Sequence, residues 1–592
     1  MGNFKFNIWS AKILRRVMSV SLLSVLKSER TGKFLPDCII CFMAFGTLFA
    51  GCGQPAEKMV MCVQLDPLEK VFTEELTFVE TSDTAAVAKG ETATFQFVIK
   101  SIYPVSDLKI EAGNLVNGER QIAATEKAFV GYIRAGGSYT GYWGGLHSKY
   151  AVFPVSDLYP DILQEVETMD VAALSNQPLW IGYTIPRDAA DGDYTATLTF
   201  TGKVDGKRFK ITKEVKAKVY PVILPEQTLW VTNWFTSDGF SKMNGGQPVE
   251  IFSDRYWELL TAMAHVMRDH GQNTYLLTSN WSWNDVCNPE WTGTQYSFDF
   301  TNFDKMVELL IREGGLKRIE GCYLSGLAPG ENAYFQVAVP KAEALPFSDE
   351  WTRAEYYLSQ FLPALYSHLE EKGWAKMYMQ HIGDEPNDAT APSYIKIAEC
   401  VKKYMPDVPI IDALHSRKLA NTVNVWVPML DFYHKDYAFY QERQGAGDEV
   451  WYYTCCNPQG NYANRFLEQP LIQTRFLHWI NYRYGATGYL HWGFNHWHYE
   501  KTNDAYFYGA PEWPAGDGWI VYPADGKVYS SIRLKAMRDG IADYELLKLL
   551  EQKSPDIAKE LVGKVIRGFD MYDNNVRAFR MKRVELLEAL SN

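Results

Sequence analysis

The stretch "KMYMQHIGDEP", residues 376–386, sets a short apolar run against two adjacent acids and a proline. A run of this length, without helical spacing and closed by turn residues, predicts a buried strand. It is the fourth of eight such runs. "TLWVTNWF" (228–235), "NTYLLT" (273–278) and "IEGCYL" (319–324) precede it. "VPIIDA" (408–413), "VNVWVPM" (423–429), "VWYYT" (450–454) and "GYLHW" (488–492) follow. Helical patterns fill most of the gaps. Residues 254–270 close on Gly271, 303–312 on Gly314 and Gly315, and 351–372 on Gly373, each a helix stop. Residues 392–404, 470–484 and 530–550 continue the series, while the gap between the fifth and sixth runs is too short for a full helix. Buried strands alternating with helices from residue 226 to 592 predict a (β/α)8 TIM-type barrel. The competing doubly wound sheet would show a Gly-rich phosphate turn after its first strand; none is there.

Ahead of this region the period changes to two. In "TATFQFVIK", Ala93, Phe95, Phe97 and Ile99 alternate with Thr94 and Gln96, and "GDYTATLTF" repeats the pattern at Tyr194, Ala196, Leu198 and Phe200. Short alternating strands without helices predict a β-sandwich over residues 65–225. The Gly-rich, aromatic "AGGSYTGYWGGL" (135–146) reads as an ordered surface loop, with reach toward a neighbouring site as the alternative.

The N-terminus reads as an export leader, residues 1–52. Lys27, Arg30 and Lys33 precede an uncharged run, 38–50, that ends on Gly51 and Cys52. The run suits a signal-peptide core better than a membrane span. Cys52 is then the lipidation site of a bacterial lipoprotein, with residues 53–64 as linker. Phe49 stands where Leu is usual, and Met18 is a second candidate start; a plain secretory signal is the alternative. On this reading the protein sits in the cell envelope and touches a membrane only through its lipid.

Composition narrows the partners. A net charge of −12 argues against nucleic acid and anionic membrane surfaces. Eighteen Trp and 36 Tyr suit either large aromatic cores or a carbohydrate site. The cysteines follow no metal-binding or disulfide framework, so buried thiols are expected.

In a barrel the reactive groups sit at the C-terminal ends of the strands. Asp384 and Glu385 fall directly after the fourth, where Pro386 is expected to push Glu385 toward extended backbone. Glycoside hydrolysis usually takes two carboxylates across the bond. The seventh strand, which often supplies the second, runs "VWYYTCCNPQG" without an acid, and Glu442, Asp448 and Glu449 precede it at the wrong end. Asp412 and Asp431 are substitutes. Alternatively, the substrate's own 2-acetamido oxygen attacks C1, and the pair divides the work. Asp384 would then orient the acetamido N–H. Glu385, its pKa raised by its neighbour, would protonate the leaving oxygen.

Further strand-end residues suit sugar binding: Asn280 and Trp281 after the second strand, His415 after the fifth, Tyr433 after the sixth, and Trp492 and Asn495 after the eighth. His491, His496 and His498 lack the spacing of a metal site, and neither metal nor cofactor is expected.

"GDEP", "YRYGATGYLHWGFN" (482–495) and "IRLKAMRDGIADYELLKLL" (532–550) resemble glycoside hydrolase family 123, and "YPDIL" (159–163) resembles the PD motif of its N-terminal sandwich. The resemblance covers roughly residues 65–590. It implies a retaining β-N-acetylgalactosaminidase acting on a glycan by substrate assistance, with the acidic pair at Asp384 and Glu385 and Glu385 as acid/base. The family's tyrosine for the acetamido carbonyl is Tyr433 or Tyr453. The other expectations are a glycosidase for a sugar without an acetamido group, using Asp431 or Asp412 as nucleophile, and an inactive glycan-binding surface lipoprotein.

Overall fold

The computed structural model describes residues 55–81, 83–134, 149–152, 158–277, 283–330, 333–497 and 514–592. The leader with Cys52, the stretch 135–146, Asn280 and Trp281 lie outside the described residues. Val60–Asn592 forms one compact unit.

The N-terminal region is β-rich. One sheet runs in the order Val60–Leu65, Thr92–Ser101, Asn176–Thr184, Glu126–Arg134, Leu158–Gln164. A second runs Ala85–Lys89, Lys207–Ile223, Gly192–Val204, Val105–Ala112, Met169–Val171. Phe97 of the first meets Phe200 of the second with ring centroids 5.2 Å apart. The alternation of 192–200 is as expected, with Tyr194, Ala196, Leu198 and Phe200 buried and Thr195 and Thr197 exposed. Strand Thr92–Ser101 departs from it, because its second face is buried as well. Gln96 donates to the Asp66 and Glu69 carbonyls, and Val98 packs with Leu65 and Val71.

The C-terminal region is α/β, with eight parallel strands in chain order: β1 (Trp230–Asn233), β2 (Thr274–Leu276), β3 (Arg318–Gly321), β4 (Tyr378–Gln380), β5 (Ile411–Ala413), β6 (Val425–Val427), β7 (Glu449–Thr454) and β8 (Gly488–His491). They form two half-barrels. Five strands are ordered β1-β8-β7-β6-β5 and three β2-β3-β4. One bridge, Gln380 to Ile410, joins β4 to the start of β5. Between β1 and β2 the Val231 N–H donates to the Asn273 side chain at 2.9 Å, and the Asn273 N–H to the Val231 carbonyl at 3.2 Å. The closed barrel expected from the sequence is therefore observed as two arcs. Both arcs supply one interior cluster, which includes Leu276, Met379, Ile411, Val427, Trp451 and Leu490.

Helices cover the outside: α1 (Asp254–Asp269), α2 (Thr301–Gly314), α3 (Glu350–Glu371), α4 (Ala391–Tyr404), α5 (Leu430–Lys435), α6 (Tyr437–Gly445), α7 (Leu471–Tyr484) and α8 (Ile532–Lys553). Ser253 and Asp349 cap α1 and α3 by accepting from the first-turn N–H groups. Only a single turn, Arg417–Leu419, links β5 to β6. Two more helices, α9 (Pro555–Val565) and α10 (Val576–Ser591), follow α8.

The β-rich and α/β regions meet through buried charge. Arg533 on α8 donates to Asp161 from Nε and Nη2, the latter at 2.8 Å, and both residues are fully buried. These belong to the "YPDIL" and "IRLKAMRDG" segments, which the sequence singled out separately. Among the described cysteines all six are free thiols, four of them buried.

Candidate active site

Asp384 and Glu385 leave β4 through Gly383, in a turn with no regular structure. Glu385 does not take the extended backbone expected before Pro386; its φ is +46°. Proline on its C-terminal side disfavours right-handed helix, and the chain reverses here by the left-handed alternative, which costs a non-glycine residue about 1–2 kcal/mol. The reversal resolves how consecutive residues share one mouth. Asp384 accepts from the Tyr323 hydroxyl at 3.0 Å, just past β3, and Glu385 accepts from the Tyr453 hydroxyl on β7. Each carboxylate thus hangs on a tyrosine from a different strand end. Burial pushes both phenols well above their usual pKa, and the neighbouring carboxylates add to this, so both remain hydroxyl donors.

Burial in the concave mouth, then the Glu385 charge, raises Asp384 to about 6, against the Tyr323 hydrogen bond and the His381 charge. Both side chains remain open to solvent, as groups meeting a ligand must.

Beneath the turn lies a polar network that the sequence reading missed. His381 is fully buried, its Nδ1 2.7 Å from Asp412 Oδ1 and its Nε2 3.0 Å from Glu320 Oε2. Glu320 also accepts from Trp234 Nε1 at 2.9 Å. Asp412 accepts from the Ile382 N–H at 2.9 Å and the Tyr394 hydroxyl at 2.6 Å. Asp412 is therefore sealed under the turn with its oxygens occupied, and it is no free nucleophile. The available signal was a charged or polar residue inside each buried run: Glu320 in "IEGCYL", His381 in "MYMQHI" and Asp412 in "VPIIDA".

The other candidates divide. Tyr453 is at the mouth. Trp492, one residue past β8, donates from Nε1 to Asp517 at 3.1 Å and lies beside His496. Burial raises that buried Asp517 to about 7. His415 stacks on Phe432 with centroids 4.1 Å apart. Asp431 opens α5 half-buried, accepting from the Phe432 N–H at 2.9 Å. Two assignments fail. Tyr433 is fully buried on α5, donating to the Tyr484 carbonyl at 2.7 Å among Tyr437, Tyr440 and Phe569. Asn495 is fully buried too, with its side chain bonded to the Thr236 backbone at 2.7 and 2.9 Å. Glu449 lies at the opposite end of β7 in a bidentate pair with Arg318. Among the described residues no group of three or more His, Cys, Asp or Glu is arranged to hold a metal ion.

The family model described as glycoside hydrolase 123, catalytic domain, matches residues 234–550, more than half of the chain. The chain belongs to glycoside hydrolase family 123. A second model, the glycoside hydrolase 123 N-terminal domain, matches residues 71–202. Among solved structures, a family 123 glycoside hydrolase from Clostridium perfringens, described in work on glycolipid glycan hydrolysis, aligns at a TM-score of 0.69 and 18% identity. That alignment covers 90% of this chain and 97% of the other. A β-glucuronidase from Parabacteroides merdae (TM-score 0.25, 11% identity, 74% of this chain and 47% of that one) is too loosely similar to bear on the argument. The same holds for an endo-β-1,4-mannanase from Thermotoga petrophila (TM-score 0.32, 11% identity, 54% and 77%). No curated protein matches the sequence.

Proposed function

We propose that this family 123 glycoside hydrolase releases terminal β-linked N-acetylgalactosamine with retention, through an oxazolinium formed by the substrate's own acetamido group. The observation that carries the reading is the paired acid turn facing a β7 whose C-terminal end carries Tyr453 and Thr454 and no carboxylate. Asp384, about 6 in pKa, is an anion at neutral pH. That suits a group which accepts the acetamido N–H and balances the positive charge growing on the ring. Glu385 is the acid/base. The acetamido oxygen bonds to C1 as the C1–oxygen bond to the aglycone breaks, and the Glu385 proton passes to the leaving oxygen. Water then attacks C1 as the C1–acetamido oxygen bond breaks, restoring the acetamido group, and the water's proton passes to Glu385. Two inversions at C1 give retention. Tyr453 aligns Glu385, and Trp492 offers an aromatic face to the sugar.

The same reading takes the two arcs as one closed barrel, with residues 65–225 as sandwich and 226–592 as catalytic domain, and places the enzyme in a bacterial envelope on a lipidated Cys52. The Clostridium perfringens relative, described for glycolipid glycans, is compatible with a glycoconjugate substrate.

Glu385→Gln is expected to lower hydrolysis of a nitrophenyl N-acetyl-β-galactosaminide by about 10³-fold with melting temperature unchanged. Activity retained in that variant would sink the acid assignment. A thiazoline analogue should inhibit. Trapping of a covalent glycosyl-enzyme by a fluorosugar would instead favour Asp431 as nucleophile on a sugar without an acetamido group.

A further inference from the structure

The floor of the mouth is built around one ring. Both nitrogens of His381 face carboxylate oxygens, Asp412 at 2.7 Å and Glu320 at 3.0 Å. A neutral imidazole donates from one nitrogen only, and its other lone pair would then oppose a carboxylate lone pair. A proton on Asp412 Oδ1 would relieve this by donating to the ring, but Asp412 Oδ2 accepts from both the Ile382 N–H and the Tyr394 hydroxyl, and bonds donated to a carboxylate favour its charged form. With Asp412 charged, the doubly protonated imidazolium donates to both carboxylates. Burial alone would push the ring below its usual value, but the hydrogen bonds of Asp412 and Glu320 outweigh it and hold His381 up to about 9.

This ring stands directly behind the acid turn. Only Ile382 and Gly383 separate His381 from Asp384 in the chain. The imidazole also packs against the Tyr323 ring with centroids 5.0 Å apart, and the Tyr323 hydroxyl is the donor to Asp384. The Trp234 ring meets the imidazole edge-on at 5.7 Å. The charged and titratable groups around it are Glu320 on β3, Asp412 on β5, Tyr323 past β3, Tyr394 on α4, and the Asp384–Glu385 turn above.

We propose that His381 is a positioning residue of the acid pair, a buried imidazolium clamped by Glu320 and Asp412 that keeps Asp384 ionised beside Glu385. The inference rests on the reading of Asp384 as the charged, steering member of the pair. It differs from a plain hydrogen-bonding strut in one respect: the charge, and not only the shape, of His381 acts on the mouth.

The test has an arm that needs no substrate. In full-length protein with ¹⁵N-labelled histidine, both ring nitrogens of His381 should show imidazolium shifts at pH 8. In ¹³C-aspartate-labelled protein, with Asp384→Asn used for assignment, the Asp384 titration should rise by about one pH unit in His381→Gln. Glu320→Gln, which removes one anion behind the ring and leaves the imidazolium paired with Asp412, should not raise it. In His381→Gln the acid limb of kcat/KM on the nitrophenyl substrate should shift upward in parallel, with KM little changed. A neutral His381 ring at pH 8, or an Asp384 titration that does not rise in His381→Gln, overturns the proposal. Absence of acetamido-sugar hydrolysis in the wild type would instead overturn the functional reading, and the Asp384 titration would still decide the role of His381.

Discussion

At pH 8 Asp384 is ionised beside Glu385, in a mouth whose burial and neighbouring charge raise its carboxyl to about 6. An unfolded aspartate titrates near ~3.9. Between those values the folded chain binds more protons than the unfolded one, so stability falls as pH rises through 6 and the full penalty applies above it. The acid pair is thus a liability to the fold that the mouth retains for its chemistry. Asp384→Asn removes the charge and keeps an oxygen for the Tyr323 hydroxyl. The variant is expected to gain about 1 kcal/mol at pH 8, a figure discounted for a solvent-accessible carboxyl. The gain should fade as pH drops toward 4. Denaturant titrations at the two pH values check this, and a variant less stable than wild type at pH 8 would contradict it.

At the scale of elements, the acid turn is shaped by a neighbour the sequence does not advertise. A hairpin, Gly326–Leu327 with Phe335–Gln336, lays Phe335 over Gly383, where an added Cβ would come within 2.4 Å of the ring. Phe335 is itself tied down, its N–H donating to Ser393 on α4 at 2.9 Å. Gly383→Ala is therefore expected to displace the turn and lower kcat/KM by about 10–100-fold, in line with a misplacement on the order of an ångström. Trimming the ring in Gly383→Ala/Phe335→Leu should restore part of the loss. Additive losses in that double-mutant cycle would show that the two residues do not meet. The strands themselves were legible, because eight apolar runs with glycine-stopped helices between them carry their own period. Facing was not. "DFYHKD" opens α5 directly after β6, and which side of that short helix holds Tyr433 depends on Phe569 and Tyr484, far along the chain. Asn495 looked like a sugar ligand, yet its amide mimics a ladder bond to Thr236. His381 and Glu320 each stood as a polar residue inside a buried run and Asp412 as a candidate nucleophile, and their meeting depends on the register of three strands, which no single run encodes.

At the scale of the molecule, the link from the β-rich region to the mouth runs through Arg533. Its guanidinium holds Asp161 and also donates to the Arg465 carbonyl at 2.6 Å, the Gly516 carbonyl at 2.8 Å and the Trp519 carbonyl at 3.1 Å. Arg465 in turn donates to Asn233 Oδ1 and His491 Nδ1, both at 2.7 Å, which are the last residues of β1 and β8. A buried ion pair adds little net stability when intact, but removing one partner strands a charge and costs about 3–5 kcal/mol. An exposed pair such as Lys203–Asp107, with side chains 45% and 57% accessible, should cost under about 1 kcal/mol. Asp161→Asn is accordingly expected to destabilise the protein by about 3–5 kcal/mol. Asp107→Asn serves as the surface control. Replacing both partners, Asp161→Leu with Arg533→Met, should recover only part of the loss, since three carbonyls then lose their donor. Equilibrium denaturation of the four proteins measures this directly. If Asp161→Asn costs no more than Asp107→Asn, the pair is not the tie between the regions, and the backbone bonds of Ile162 and Leu163 to the 530–531 segment carry that contact instead.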